Sequence, residues 1–403
     1  MKNGFSFLAS LLITSTMLTM PTVVQAMSDI SGRPPENALE RVEPQVYEVS
    51  FQVSYTSSMM TGTYGGRPCG PDTRNPCPRV PSRFLEQPMR MPLIVQNTFS
   101  RVDRDSISLQ MWIDEREDRN LGDRAELRGG LPFGSYELYW TLPEEPRLEQ
   151  RGRWKLTYDQ TVWASRLNED RARRAAWPRA WPEETRDALG PQRMIESDNP
   201  IFRETVERVS EGKLRSVPPY YAVKDLLRYS IQQVQVTGSS ERRVTESTIQ
   251  GVNVQGALKT AQSGRGSEHD LLCVCIAMLR AAEIPARPVI GIEYDPMKRD
   301  RFEVRSWGEF FLPGSGWVPF HPVKMRDAGL HRTVQEPWPG LGTIESHNRF
   351  VPLAFHFSSP NVDRSFKFPT IWTWIGGSED EEARFQQIDL SLGWKGEPRP
   401  EDH

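Results

Sequence analysis

The sequence predicts an α+β fold, in which a mostly β region is followed by a core of helices packed on an antiparallel sheet. Strand-like segments dominate the first third of the chain. Helix-like segments then begin near residue 197, and further strand-like segments follow them. Such a segregated order of strands and helices is typical of α+β architecture.

The composition predicts a globular protein. The chain has 403 residues, of which 37% are hydrophobic and 26% charged. This length is sufficient for two or three domains, each with its own core. The net charge of −3 and the pI near 6.2 provide no basic surface for nucleic acid, so nucleic-acid binding is excluded.

The first 26 residues have the pattern of a secretory signal peptide. Lys2 supplies a short positive region, an apolar stretch runs from about Phe5 to Met20, and small residues precede a cleavage site after Ala26. We therefore expect a mature chain that is periplasmic or secreted and has no membrane span after signal cleavage. An N-terminally membrane-anchored chain is the alternative, although the apolar stretch is short for a span.

In that oxidising compartment, two of the four cysteines are predicted to form a disulfide. Cys69 and Cys77 bracket the Pro- and Gly-rich loop CGPDTRNPC, which can bring their Cβ atoms into bonding range. A metal site there is disfavoured because further ligands are lacking nearby. Cys273 and Cys275 lie two positions apart in a predicted helix, so they cannot bond each other and are expected to fill the core.

Four segments predict the β domain, residues 27–165. They combine β-branched and aromatic residues with a near alternation of apolar and polar positions, and Gly, Pro or Asp separates them. The segments are VYEVSFQVSY, SISLQMWID, SYELYWTLP and RGRWKLTYDQTVWA. An Arg-, Trp- and Pro-rich stretch from Asn168 to Pro191 then marks the change to the next domain.

Residues 166–325 are predicted to form a linker and an α+β domain. One helix, in SDNPIFRETVERVSEGK, begins at a cap on Ser197 or Asp198, and PPYYAVKDLLRYSIQQ forms a second. A third helix runs from about Glu268 to Ala282. Turn residues separate three predicted strands, in RPVIGIEY, RFEVRSWGEFFL and GWVPFHPV.

Residues 326–403 form a C-terminal β-rich segment that is expected to pack on the core. Its strand-like segments are RFVPLAFHFSS, FKFPTIWTWIGG and RFQQIDLSLGW. Trp372 and Trp374 share one face of their strand, and aromatic pairs of this kind are more often core than a carbohydrate platform.

Two long runs resemble the core of the transglutaminase-like superfamily. They are GALKTAQSGRGSEHDLLCVCIAMLRAAEIPAR and EVRSWGEFFLPGSGWVPFHPV. The family pattern has a Gly-x-Cys-x-Asp helix start, an LRAxGIPAR exit, a His-x-Trp-x-Glu strand and a GxGWVPxDP strand. The resemblance covers about residues 189–324. It implies a papain-like or transglutaminase-like fold, with acyl transfer or amide hydrolysis as the family reaction.

Carried over position by position, the catalytic triad of the family is substituted throughout. The motif spacing places the nucleophilic Cys on Glu268, the His on Arg305 and the Asp on His321. The resemblance therefore implies a degenerate triad in which no catalytic residue is intact.

These substitutions remove the family chemistry. Acyl transfer needs a thiolate that a base and a helix N-terminus activate. Glu268 is a weak nucleophile, and Arg305 cannot act as a base because the pKa of arginine is above ~12. A carboxylate at a helix start and a guanidinium are nevertheless good partners. We therefore predict a structural ion pair between Glu268 and Arg305.

The residues around the three triad positions are predicted to border a cleft. They are Ser267, His269, Asp270, Trp307, Glu309 and Trp317. Asp270 is expected to bond to the backbone of the first helical turn. Trp307 and Glu309 share a strand face with Arg305, so they are expected either to pack and tether the helix or to wall the cleft.

Other chemistries stay open as alternatives. Cys275 returns to the helix face of Glu268 but lies ~10 Å deeper along the axis, which favours a buried thiol. Glu268 and His321 could act together as a general base on water. His269 and Asp270 could join them around zinc, but successive residues at a helix start diverge by ~100°, which disfavours convergence on one ion. We expect no metal and no cofactor.

The sequence thus predicts an exported transglutaminase-like protein without catalysis, which acts as a peptide- or protein-binding or scaffolding module. By analogy with the family, the ligand class includes cell-wall peptide. The alternative is an active acyltransferase or amide hydrolase that uses Glu268, His321 or Cys275.

Overall fold

The computed structural model describes most of the chain. The described residues are 37–59, 62–64, 67–69, 89–117, 125–140, 151–245, 248–295, 303–330, 332–358, 373–374, 386–388 and 391–399. The predicted signal peptide, Cys77 and Trp372 lie outside them. Export and the disulfide between Cys69 and Cys77 therefore stay predictions.

Strands dominate the first part of the chain, as the alternating pattern predicts. Short 3-10 helices occur at Arg104–Ser106 and Pro132–Gly134. The strands are β1 (Leu39–Met59), β2 (Gly62–Tyr64), β3 (Arg67–Cys69), β4 (Met89–Leu93), β5 (Ser100–Val102), β6 (Ser108–Ile113), β7 (Arg116–Glu117), β8 (Ala125–Arg128), β9 (Tyr136–Trp140) and β10 (Arg151–Leu167).

Helices and strands mix in the remainder, with 3-10 helices at Glu183–Ala188, Leu214–Ser216 and Glu345–Arg349. The helices are α1 (Glu169–Ala172), α2 (Pro200–Ser210), α3 (Pro219–Gln233), α4 (Ala257–Ser263), α5 (Glu268–Ala281) and α6 (Pro322–Asp327). The strands are β11 (Gln235–Val236), β12 (Glu241–Thr245), β13 (Thr248–Val252), β14 (Arg265–Gly266), β15 (Ala286–Glu293), β16 (Glu303–Leu312), β17 (Gly316–Phe320), β18 (Phe350–Ala354), β19 (Thr373–Trp374), β20 (Gln386–Ile388) and β21 (Ser391–Arg399).

The long strands β1 and β10 form the centre of the largest sheet, whose order is β12-β13-β21-β1-β10-β6-β7. They pair antiparallel along most of their length, with a bulge between Val42 and Gln45. The alternating apolar residues of both strands face the core. Those buried on this face include Tyr47, Val49, Phe51, Trp154, Leu156 and Tyr158.

The other strands form smaller sheets. One has the order β19-β4-β9-β8, β2 pairs with β3, and β11 pairs in parallel with β14. Strand β21, from the end of the chain, pairs with β1, and β20 pairs with β1 further along. Strands from the residues after 325 thus enter several sheets, while the predicted boundaries at 165 and 325 stay predictions.

A second antiparallel sheet has the order β17-β16-β15-β18, and α5 packs against it. Helices α2 and α3 pack on α5. Helix α5 is buried on almost every side, from His269 to Arg280. A helix that is apolar all round is typical of a core position. The predicted fold class, an antiparallel sheet with helices and a strand-rich N-terminal part, is confirmed.

Two predicted details differ from the structure. Asn199, rather than Ser197 or Asp198, caps α2 and accepts a hydrogen bond from the backbone N–H of Ile201. The predicted strand GWVPFHPV ends at Phe320, and its last residues begin α6. A proline favours this ending because it lacks the N–H that a strand needs and suits the first position of a helix. No helix in the described part of the chain is long and apolar enough to span a membrane.

Candidate functional site

The start of helix α5 carries Glu268, the first of the three predicted triad positions, and is held by local hydrogen bonds. Ser267 caps the helix and forms a capping box with Asp270. The Asp270 carboxylate also accepts hydrogen bonds from the backbone N–H groups of Gln255 (2.7 Å) and Gly256 (3.1 Å). A Cβ at Gly266 would lie 2.5 Å from that of Asp270, so glycine is required there. These contacts place Glu268 in the first helical turn.

Arg305, at the second triad position, contacts Glu268 directly. Its Nη1 lies 3.1 Å from both Oε1 and Oε2 of the carboxylate. A single nitrogen therefore bridges the two oxygens, instead of the two-nitrogen fork that a bidentate pair would use. The rest of the guanidinium binds two further carboxylates: Nε donates to Glu293 at 3.0 Å, and Nη2 donates to Glu303.

This geometry keeps Arg305 charged. Burial lowers the pKa of Arg305, but the charges of Glu268 and Glu303 and the hydrogen bonds to Glu293 and Glu268 outweigh burial and raise the pKa overall. A guanidinium with a raised pKa cannot accept a proton from a nucleophile. The side chains of Arg305, Glu293 and Glu303 stay 28–29% exposed, and that of Glu268 is 11% exposed.

His321, at the third triad position, is buried and caps α6. Its Nδ1 accepts a weak hydrogen bond from the backbone N–H of Lys324 at 3.4 Å, and its ring meets Phe350 edge-on at 5.7 Å. Burial, followed by the charges of Lys324 and Arg305, lowers the pKa of His321 to about 3. Within the described residues no hydrogen bond joins His321 to Glu268 or Arg305. The structure thus bonds Glu268 to Arg305, two of the predicted triad positions, and leaves His321 within electrostatic range of Arg305.

His269, beside Glu268, is fully buried under the sheet. Its Nδ1 shares a hydrogen bond of 2.7 Å with the hydroxyl of Ser306. Burial lowers the pKa of His269 to about 4, with Asp270 acting against the shift and Arg305 adding to it. The ring is therefore neutral near pH 7 and links α5 to β16. The sequence analysis missed this link because it considered the strand face of Arg305, and Ser306, the next residue, points to the opposite face.

The predicted cleft residues are mostly covered by other side chains. Ser267, His269, Asp270, Trp307 and Glu309 are all buried, and Trp317 is partly buried. Their predicted place around a cleft stays a prediction. The exposed part of the region is the group of Arg305 and its carboxylate partners.

Trp307 belongs to a packed cluster on one face of the sheet. Trp307 packs edge-on against His347 and Phe350, both at 5.5 Å. A Cβ at Gly291 would lie 2.8 Å from the indole, so the neighbouring strand needs glycine there. These contacts lie on the strand face opposite to Ser306 and its helix partner. Trp307 therefore packs on this side of the sheet, and its expected role in tethering α5 stays a prediction.

Glu309 belongs to a buried ion pair that the sequence analysis missed. Its Oε2 accepts from Nε and Nη2 of Arg287, both at 2.7 Å. The Arg287 guanidinium lies 4.1 Å from the ring centroid of Trp317 and 4.2 Å from that of Phe355. Burial raises the pKa of Glu309, and the Arg287 charge opposes that rise. The register pairing of Arg287 with Glu309 follows from the antiparallel alignment of β15 and β16.

The two helix cysteines are buried, as predicted. Both Cys273 and Cys275 have no exposed surface. Burial raises the pKa of each thiol well above its ordinary value. Within the described residues no group of three or more His, Cys, Asp or Glu side chains is arranged to hold a metal ion.

One comparison with known proteins, that with a family model, agrees with the core motifs. Residues 207–322 match the family model of the transglutaminase-like superfamily. No curated protein sequence matches the chain. A solved structure named "putative cysteine protease" from Cytophaga hutchinsonii is similar at 12% identity with a TM-score of 0.49, and the match covers 91% of this chain and 94% of that one. A "putative protease" structure from Parabacteroides distasonis aligns at 12% identity with a TM-score of 0.25, over 76% of this chain and 64% of that one.

Proposed function

We propose that the transglutaminase-like core of this chain, residues 207–322, is a non-catalytic module that binds peptide or protein ligands. The contact between Glu268 and Arg305 carries this proposal, because it joins a carboxylate and a cation at the positions where the family has its thiol and its base. Neither group can form the acyl-thioester intermediate, since that intermediate needs a thiolate.

Substitute nucleophiles and bases are poorly placed, which disfavours the alternative of an unusual enzyme. A raised thiol pKa and complete burial keep Cys275 protonated and inaccessible. His321 is buried, and its lowered pKa leaves it a poor proton acceptor near pH 7. Glu268 is occupied by Arg305.

The retained architecture supports a binding role. The helix start, the sheet and the partly exposed group around Arg305 are all present, although they do not form a thiol site. By analogy with the family, the ligand is peptide or protein, with cell-wall peptide in the class for a bacterial protein. We further propose that the chain acts outside the cytoplasm, as the predicted signal peptide indicates.

A restoration experiment tests the loss of chemistry. Glu268→Cys, Arg305→His and His321→Asp together should place a thiol at a helix N-terminus beside an imidazole and a carboxylate. The alkylation rate of the new thiol, measured against pH, should titrate at a lower pH than in the Glu268→Cys variant. Identical profiles near ~8.5 would show that the three positions do not act together.

The binding role needs its own measurement. The mature protein should retain peptides from a photo-crosslinkable pool, with cross-links at the start of α5 and the start of β16. It should not release amine or incorporate a fluorescent amine into those peptides. Peptide hydrolysis that disappears in Glu268→Gln would overturn the proposal in favour of an enzyme, and the absence of any cross-link would overturn the binding role. Periplasmic fractionation of the full-length chain tests export.

A further inference from the structure

A cavity lies at the other end of β16 from the contact between Glu268 and Arg305. Its volume is about 330 Å³, at the lower end of the range for small-molecule sites. Ser315, in the turn after β16, borders it, whereas Arg305 is near the start of that strand. At about 3.3 Å per residue the two places are roughly 20 Å apart. The other bordering residues include Leu39, Glu40, Arg41, Thr98 and Phe99.

Two arginines and a tryptophan share one sheet face beside this cavity. Arg41 on β1 pairs with Ser165 of β10, and Arg101 on β5 pairs with Thr161 of the same strand. Because Ser165 and Thr161 are four residues apart, both arginines point to the same face, with Trp163 between them. The Arg41 Cζ lies 5.2 Å from the centroid of the Trp163 ring.

These two arginines lack the carboxylate partners that Arg305 has. Within the described residues, neither Arg41 nor Arg101 forms a side-chain hydrogen bond or an ion pair. Burial and then the charge of Arg101 lower the pKa of Arg41. The two arginines therefore repel each other, and an anion bound beside them would relieve that repulsion. One carboxylate, that of Glu40, also borders the cavity.

The remaining border of the cavity includes two buried apolar residues and hydroxyl groups. Leu39 and Phe99 are 6% and 1% exposed. The Ser315 hydroxyl accepts a hydrogen bond from the backbone N–H of Ala38 at 3.3 Å and retains its own O–H as a donor. A ligand that fits has a negative group joined to a small apolar body.

We propose that this cavity binds the C-terminal residue of a peptide, with its carboxylate on Arg41 at the cavity border, beside Arg101, and its side chain inside the cavity. The guanidinium fork matches a carboxylate in shape and charge. The volume admits a terminal residue rather than a long segment. This inference rests on the proposed peptide-binding function and places one part of the ligand at a second site.

The test compares two peptide pools that differ only at their C-terminus. Tripeptides of the form Ala-Ala-X, with X apolar, are prepared as free acids and as amides, and their binding to the mature full-length protein is measured by equilibrium dialysis. The acids should bind at least about tenfold more tightly, since a hydrogen bond to a charged group contributes about 1.5–3 kcal/mol. Binding of the acids should weaken at high salt.

Variants locate the site. Arg41→Met and Arg101→Met should each weaken binding of the acids by about tenfold and leave the amides unchanged. Glu40→Gln should strengthen binding of the acids, because it removes a negative charge from the cavity border. Arg186→Met, which alters an exposed arginine elsewhere, is the matched control and should bind like the wild type. Arg41, on the cavity border, and Arg101, beside the cavity, are both exposed, so their variants should fold, and circular dichroism checks this.

The outcomes separate this inference from the proposed function. Equal binding of acids and amides, or wild-type binding by Arg41→Met, would overturn the C-terminal site while peptide binding stands. Binding of neither pool would count against both.

Discussion

Arg305 is the residue whose removal most directly tests the interpretation of the degenerate site. One cation compensates three carboxylates, those of Glu268, Glu293 and Glu303. Arg305→Met keeps much of the side-chain length but removes the charge. We expect this change to leave three neighbouring carboxylates without a shared cation and to destabilise the fold.

The magnitude follows from the exposure of each contact. Removing one partner of a buried pair costs about 3–5 kcal/mol, whereas an exposed pair contributes about 0.2–1 kcal/mol. The Glu268 side chain is 11% exposed and lies between these limits, while Glu293 and Glu303 are 28% and 29% exposed and lie nearer the lower one. Arg305→Met should therefore lower the free energy of unfolding by about 2–4 kcal/mol.

The double variant distinguishes this network from an isolated pair. Glu268→Gln alone should cost about 1 kcal/mol, because the amide can still accept from Arg305, which also keeps its other two partners. Combining Glu268→Gln with Arg305→Met should cost less than the sum of the two single changes, by about 1 kcal/mol. Full recovery is not expected, since Glu293 and Glu303 remain. An isolated pair, in contrast, would recover almost completely.

Urea unfolding at pH 7 and low salt, followed by far-UV circular dichroism, measures these differences. The matched control is Arg186→Met, whose partner Glu183 is on the surface; the two side chains are 75% and 74% exposed. That variant should stay within about 0.5 kcal/mol of the wild type. If Arg305→Met matches the control, or if the two single changes simply add, the ion-pair network does not stabilise the core.

Three further predictions concern acid stability, the thiols and the disulfide. Burial lowers the pKa of three histidines in the folded protein to about 3 or 4, whereas the unfolded chain protonates near ~6.5, so stability should be lost as the pH falls from ~6.5 towards those values. Three such protons make the free energy of unfolding change by roughly 4 kcal/mol per pH unit. His347→Phe should reduce this pH dependence by about a third in urea melts between pH 6 and pH 5. An unchanged pH dependence would contradict the prediction. Cys273 and Cys275 should react with Ellman's reagent only after unfolding, and labelling of the native protein would reopen the thiol-enzyme alternative. Non-reducing peptide mapping after periplasmic expression should find Cys69 bonded to Cys77, and two free thiols would refute that prediction.

The start of α5 shows what local sequence rules predict well. The capping box of Ser267 and Asp270 and the close contact of Gly266 with Asp270 all lie within five residues. Such contacts depend on side chains only a turn apart, so the sequence pattern predicts the helix start at Glu268 and the backbone role of Asp270. The motif spacing also predicts the Glu268–Arg305 contact.

The other partners of Arg305 depend on strand register. Glu303 lies two residues before Arg305, so strand alternation alone places both side chains on one face and could have indicated their contact. Glu293 reaches the guanidinium because Gly291 of β15 pairs with Arg305 and Glu293 pairs with Glu303. That register is set by the whole β15–β16 pair, so no local pattern predicts it.

The sequence by itself determined the fold class and the order of the core elements, because these follow from periodicity, capping and motif spacing along the chain. The substituted triad stays a prediction from the family resemblance. The tertiary structure decided which surfaces remain open. Alternation placed Trp307 and Glu309 on one strand face, but Phe350, His347 and Arg287 cover that face, and two of these come from about 40 residues further along the chain. Burial is a property of all the elements that meet at a point, and only their packing in three dimensions determines it.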